Sequence, residues 1–292
     1  MTTLRQKLID ELEVRGMSRK TQAAYIGFVS RLAGHYHRSP DRINDGELRA
    51  YLLHLLRERK NCAATLCLAV SALRFFYRHV LQRSTEAIDA ALPRMRKPVV
   101  RARVFSSEQI ARLFAVEGIN LKHRTMLMTS YAAGLRVSEL CRLRPEHILS
   151  VRGQILVEQG KGAKDRYTVL SPRLLEQLRV YWRTYRPAGG WMFPSALHPD
   201  RPLAVETARH VYARAVKLAG LPGNGGIHAL RHSFATHLLE ANVPLPVIQR
   251  LMGHTTLATT SRYLHVRCEV IGELQGLLET LERHPMTQTS AA

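Results

Sequence analysis

The tetrapeptide His228-Ala229-Leu230-Arg231 sets an imidazole and a guanidinium three residues apart, a spacing that turns both side chains to one face of a helix. It follows Gly225-Gly226, at or near a helix start, where backbone N–H groups without helical partners also favour an anion. Further along, Gly253-His254 stands just past a short helical stretch, and Tyr263 comes nine residues after that histidine. Upstream, Gly134-Leu135-Arg136 places another arginine beside a glycine that permits close approach, and Lys161 sits in a polar turn. Together these groups could grip an anion. Taken singly, each has a plainer reading. An arginine on a basic chain is usually solvated, a lone helical histidine is usually satisfied within the core, and one tyrosine among ten usually packs.

The charge supplies a partner for such an anion-binding set. The 292 residues carry 43 Lys+Arg against 23 Asp+Glu, a formal net charge of +20. Residues 1–97 hold 18 basic and 9 acidic side chains and the remainder 25 and 14, so both halves are basic. That distribution suits a protein holding a polyanion from two sides, with counterion release supplying much of the affinity. Most of the basic residues are arginine, which fits bidentate contacts to phosphates and guanine edges. RNA or an anionic membrane surface would attract the same charge.

The elements that must position these residues read as two domains. Residues 1–92 form a small helical bundle without strand alternation. Leu4, Leu8 and Leu12 have helical spacing up to Gly16, and Ser18 caps a second helix through about Tyr36 that buries Ala24, Phe28 and Leu32. Asn44 with Glu47 is a capping box for a third helix, whose Leu48, Leu52, Leu55 and Leu56 turn inward. A fourth runs from about Ala63 to Val80. Residues 93–104, with two prolines and five Lys/Arg, read as a basic linker. Residues 105–284 form a second, mostly helical domain. Ser106 with Gln109 opens its first helix, and a buried helix follows at Thr125–Ala133. Gln154–Val157 and Tyr167–Leu170 make a β-hairpin around the turn bearing Lys161. Ser171-Pro172 begins a helix to about Tyr185. Further helices are expected near Val205–Ala219, Ala229–Ala241, Pro246–Met252, Thr256–Tyr263 and Glu269–Leu281, and residues 285–292 read as a disordered tail. The fold class is therefore mainly α with one small β-sheet. No signal peptide or membrane helix is evident. Cys62, Cys67, Cys141 and Cys268 lack zinc spacing and read as buried free thiols, in keeping with the cytoplasm.

The ordered set Arg136, Lys161, His228-x-x-Arg231, His254, Tyr263 resembles the catalytic pattern of the tyrosine recombinase (phage integrase) family. The flanks agree. AAGLRVSELCRL (132–143) looks like the first arginine box, HALRHSFATHLL (228–239) like the second, and LMGHTTLATTSRYLHV (251–266) like the stretch that joins the last histidine to the tyrosine. The one small departure is Met252, where such proteins often have leucine. The resemblance spans essentially the whole chain and implies a SAM-like core-binding bundle followed by an α+β catalytic domain.

The resemblance implies a reaction and a role for each residue. Tyr263 would attack a DNA phosphorus, leaving a 3′-phosphotyrosine bond and a free 5′ hydroxyl. Charge developing on the nonbridging oxygens would be met by Arg136 and Arg231, with a further hydrogen bond from His254. A phenol ionises only near pH 10, so His228 would assist as general base. Lys161 would protonate the departing 5′ oxygen. Lys164 is an alternative acid, and the Gly-Lys-Gly alignment favours Lys161. No metal and no ATP are implied, because the covalent bond preserves the energy for rejoining. The expected partner is double-stranded DNA with paired half-sites, held by a tetramer of this chain or of this chain with a paralogue. The helix at 272–282, with Leu274, Leu277, Leu278 and Leu281 on one side, would dock on a neighbouring subunit or on its own domain.

Rival readings remain in the sequence. His228 and His232, four apart, could ligate zinc, but neither H-E-x-x-H nor a cysteine pair accompanies them. A nicking-and-resealing enzyme would share the tyrosine and arginines. A DNA-binding protein that had lost catalysis would share the fold. The layout, with the bundle almost at the first residue and 67 residues from Lys161 to His228, looks most like simple Xer-type recombinases, whether they serve mobile elements or dimer resolution.

Overall fold

The computed structural model describes residues 2–93, 95, 103–158, 165–223, 225–254, 256 and 260. The chain separates into two compact units, Met1–Val100 and Arg101–Ala292.

Among the described residues the first unit is all helical: α1 (Thr3–Val14), α2 (Arg19–Tyr36), α3 (Asp45–Arg57), α4 (Ala63–Phe75), which runs on as a π-helical turn (Phe76–Val80), and α5 (Thr85–Ala91). Local signals set the starts. The Ser18 hydroxyl accepts from the Thr21 amide, and Asn44 and Glu47 form the expected reciprocal capping box. Leu8, Leu12, Leu32, Leu48, Leu73 and Tyr77 fill the core. Two expectations need correction. The bundle has a fifth helix, α5, whose Ser84 cap and buried Ile88 and Ala91 make it a unit of its own despite its seven residues. Leu56 does not face inward: it is 48% exposed, because Tyr51 takes the core position on α3 and turns the buried stripe away from it. Ala24 is only partly buried, and of the thiols expected to be buried Cys62 is exposed at the start of α4 and Cys67 only partly buried.

The second unit, over its described residues, contains α6 (Ser107–Ala115), α7 (Leu121–Ala132), α8 (Val137–Cys141), β1 (Ile148–Leu149), β2 (Gln154–Val157), β3 (Arg166–Val169), α9 (Pro172–Tyr185), α10 (Val205–Leu218), α11 (His228–Glu240) and α12 (Leu245–Met252). The Ser106–Gln109 capping box and Pro172 at the start of α9 are present as expected. The expected hairpin is an antiparallel β2–β3 pair with Ile155 opposite Thr168 and Val157 opposite Arg166. β3 begins one residue earlier than its alternation suggests, and β1, two residues long, adds a third strand in the order β1-β2-β3. Helix α8 was not expected either. The phase of β3 inverts the usual rule: Arg166 and Thr168 are buried, whereas Tyr167 and Val169 face out. The turn bearing Lys161, most of the proposed linker, the segment with Tyr263, the last helix expected near 269–281 and the tail at 285–292 lie outside the described residues. No helix among the described residues is long and apolar enough to cross a membrane.

Candidate active site

Gly134 ends α7 in the left-handed region, at φ +58°, with its amide donating to Tyr131 O. A Cβ here would lie 2.4 Å from the Phe234 ring of α11, so glycine lets the turn after α7 lie directly against α11. That close approach brings the two arginine boxes together. Arg136 follows at the N-cap of α8, and Arg231 projects from α11 to donate to the carbonyl oxygens of Gly134 and Met252.

One carboxylate organises the cluster. Glu139, on α8, accepts from the Arg136 amide (2.7 Å) and from Arg136 Nη1 (2.7 Å). Arg166 reaches in from β3 with both terminal nitrogens, Nη1 to Oε1 at 2.8 Å and Nη2 to Oε2 at 2.7 Å. Arg231 Nη1 lies 3.7 Å from Oε2. The Glu139 side chain is only 6% exposed. Burial alone pushes its pKa up, but the hydrogen bonds and charges of Arg166 and Arg136 outweigh that and hold it at about 2. Three permanent cations against one carboxylate leave an excess of positive charge. Arg136 is the arginine of the three with the greatest exposure to solvent, so it offers that charge to an incoming anion.

The same arginines hold the end of α12. Arg166 Nε donates to Leu251 O (3.0 Å), Arg231 Nη2 to Met252 O, and Arg136 Nη2 to Gly253 O (3.0 Å). Three successive carbonyls at the negative end of a helix thus each receive a guanidinium from a different element. Gly253 turns the chain at φ +59°, and a Cβ on it would meet Arg166 Cδ at 2.7 Å. His254 comes next. Its amide donates to Gln249 O (3.1 Å), its carbonyl accepts from Gln249 Nε2 (3.1 Å), and its Nδ1 lies 2.9 Å from the Thr260 hydroxyl.

His228 is the first residue of α11, exposed at its surface and one turn before Arg231. Partial desolvation, then the positive charges of Arg231, Arg209 and Arg136, hold its pKa below that of an ordinary histidine. At neutral pH the ring is therefore uncharged and able to accept a proton. His237, on the same helix, has a structural job. Its Nε2 faces Phe105 O at 2.9 Å and must donate, so Nδ1 accepts from the Tyr131 hydroxyl at 2.8 Å. Among the described residues no group of three His, Cys, Asp or Glu side chains is placed to hold a metal ion.

The structure thus brings Arg136, Arg231, His228 and the loop bearing His254 to one place, while Lys161 and Tyr263 are outside the described residues. Sequence reasoning missed Glu139, Arg166 and Thr260. Glu139 stands three residues after Arg136, the spacing of a reciprocal N-cap contact. Arg166 gave no signal beyond an arginine at the end of a polar turn, just before the expected strand.

Residues 103–269, in the second unit, match the phage integrase family model, and residues 4–87 match the N-terminal SAM-like domain of phage integrases. The chain belongs to this family, the tyrosine recombinases, enzymes of site-specific recombination. It is 38% identical over 291 residues to a protein of Sinorhizobium fredii named "Putative integrase/recombinase y4qK", covering 100% of this chain and 93% of that protein. It is 31% identical over 277 residues to the tyrosine recombinase XerA of Thermococcus kodakarensis, covering 93% and 94%. Among solved structures, a lambda integrase dimer bound to a COC' core site shares the fold with a TM-score of 0.72 at 24% identity, covering 91% of this chain and 94% of that one.

Proposed function

We propose that this chain is a site-specific recombinase that cuts and rejoins double-stranded DNA through a 3′-phosphotyrosine bond to Tyr263. The observation that carries this reading is the convergence of Arg136 and Arg231, 95 residues apart in sequence, on the Glu139 carboxylate and on the adjacent carbonyls 252 and 253. Both guanidiniums are fixed before any phosphate arrives, so little reorganisation is needed as charge builds on its nonbridging oxygens. His254 enters the same space directly after those carbonyls and adds a hydrogen bond to the oxygens.

In the forward step the Tyr263 oxygen attacks phosphorus, neutral His228 takes the phenolic proton, and the 5′ oxygen leaves with a proton from Lys161. The 5′ hydroxyl of a second duplex then attacks the phosphotyrosine bond and releases Tyr263. No bond energy is lost between the two steps, so neither ATP nor a metal is called for. Residues 1–92 grip one face of the duplex and 105–284 carry the chemistry, joined by the basic 93–104 linker. Exchange between two duplexes requires four such sites. A tetramer of this chain, or of this chain with a paralogue, is supported by the lambda integrase tetramer on a Holliday junction, and DNA as the partner also by the Tn1549 integrase in complex with circular-intermediate DNA, both of which share the fold.

The test begins by sequencing the genomic DNA that the purified protein retains, then building a nicked suicide substrate on the recovered site. The wild type should form an SDS-resistant adduct at the 3′ phosphate of the cleaved strand, while the short 5′-hydroxyl fragment between cleavage point and nick diffuses away, and Tyr263→Phe should form none. A wild type that binds the site and never forms an adduct would identify a DNA-binding protein instead.

A further inference from the structure

We propose that Arg166 is a positioning residue of the strand-cleavage step: from β3 it aligns Glu139, and through Glu139 it holds Arg136 against the scissile phosphate. This role rests on the recombinase reading and adds to it a residue that touches no reacting atom.

Three observations on Arg166 lead there. It is only 8% exposed, yet all three guanidinium nitrogens are engaged, two in a fork on Glu139 and Nε on Leu251 O. A planar fork of this kind fixes a carboxylate in angle as well as in distance, which a lysine ammonium does not. Second, Glu139 uses the same two oxygens to receive the Arg136 amide and Nη1. The plane that Arg166 imposes on the carboxylate is therefore the plane in which Arg136 is held. Third, the strand itself is anchored. Thr168, two residues along on the same inward face, donates to Ala133 O at 2.9 Å, at the turn that leads to Arg136. Leaving Tyr167 and Val169 outside is the consequence of this arrangement, since a strand facing the arginine cluster with its apolar side could supply none of these bonds.

A purely structural arginine would lower stability and leave the chemistry of the folded fraction alone. A positioning arginine shifts Arg136 relative to the phosphate, where a displacement of about 1 Å costs on the order of 100-fold in rate. Arg166→Lys keeps the charge and loses the fork. We expect single-turnover adduct formation at saturating DNA to fall by about 10- to 100-fold while DNA affinity stays within about threefold of wild type. The decisive readout is a suicide substrate whose scissile phosphate carries a methylphosphonate. It has no negative charge for Arg136 to meet, so the deficit of Arg166→Lys should shrink to a few-fold.

An unchanged rate on the ordinary substrate overturns the proposal, as does a deficit of equal size on both substrates. If Arg166→Lys does not fold, Arg166→Gln is measured in the same way, with the same two outcomes deciding. A wild-type chain that forms no adduct on DNA it binds refutes the recombinase reading and this role with it. An active wild type with an equally active Arg166→Lys refutes the role alone.

Discussion

Replacing Glu139 by glutamine removes one negative charge from the centre of three arginines while keeping the side chain's shape. The cost can be worked out in two ways. The carboxyl titrates at about 2 in the folded chain against an ordinary 4.5. At about 1.4 kcal/mol per pH unit, that difference corresponds to about 3 kcal/mol of folding stability at neutral pH. Removing one partner of a buried ion pair costs on the order of 3–5 kcal/mol in other proteins, because the remaining charges stay buried without their counter-ion. The side chain is 6% exposed, so solvent screens little of this. The two routes agree on about 3 kcal/mol, which for a unit of this size means a melting temperature lower by roughly 6–12 °C.

The sign of the pH dependence follows from the depressed pKa. The stabilisation is present above pH 4.5 and is lost as pH falls through about 2, below which both states bind the proton. The difference in stability between wild type and Glu139→Gln should therefore be about 3 kcal/mol at pH 7 and narrow steadily below pH 4.5. Both tryptophans, Trp182 and Trp191, lie in the second unit, so intrinsic fluorescence follows the unfolding of that unit specifically. A difference below about 1 kcal/mol at pH 7, or one that stays constant down to pH 3, would refute the idea that this carboxylate holds the cluster together.

Two further outcomes are expected. Adduct formation should hold level as pH falls through 6.5 and decline only below it, because the depressed pKa keeps His228 neutral, and His228→Gln should lose that acid limb and slow the reaction by about 100- to 10,000-fold; a pH–rate profile of single-turnover cleavage checks both. Gly134→Ala should destabilise the second unit by about 2–4 kcal/mol, since its Cβ would overlap the Phe234 ring at a positive φ, and a fluorescence melt within 2 °C of wild type would contradict this.

Sequence reading was strong wherever structure depends on neighbours in the chain. Asn44 with Glu47, Ser106 with Gln109, and Ser171 before Pro172 each place a helix start because caps act over three residues. Gly134 was singled out for permitting close approach, and the ring of Phe234 is what it admits. The failures have more than one cause. β1 and α8 are too short to show a period, and β1 exists by pairing with β2. On β3, the apolar-inward rule selects Tyr167 and Val169, whereas the strand buries Arg166 and Thr168, whose acceptors lie 27 and 35 residues away. Nothing local distinguishes an arginine that will be buried from one that will be solvated.

The cluster also constrains how stability and chemistry can be separated in this chain. Carbonyls 251, 252 and 253 are held by arginines from β3, α11 and the start of α8, and His254 begins where that grip ends. The cations that would meet the phosphate therefore also fix the point from which the chain sets out toward Tyr263. A change at Glu139 must alter both stability and reaction, because one carboxylate orients two of these arginines and neutralises part of the charge of all three. A Glu139→Gln chain that melts lower and also forms adduct more slowly, in the fraction that remains folded, is the pattern this coupling requires; a loss of stability with an unchanged rate would contradict it.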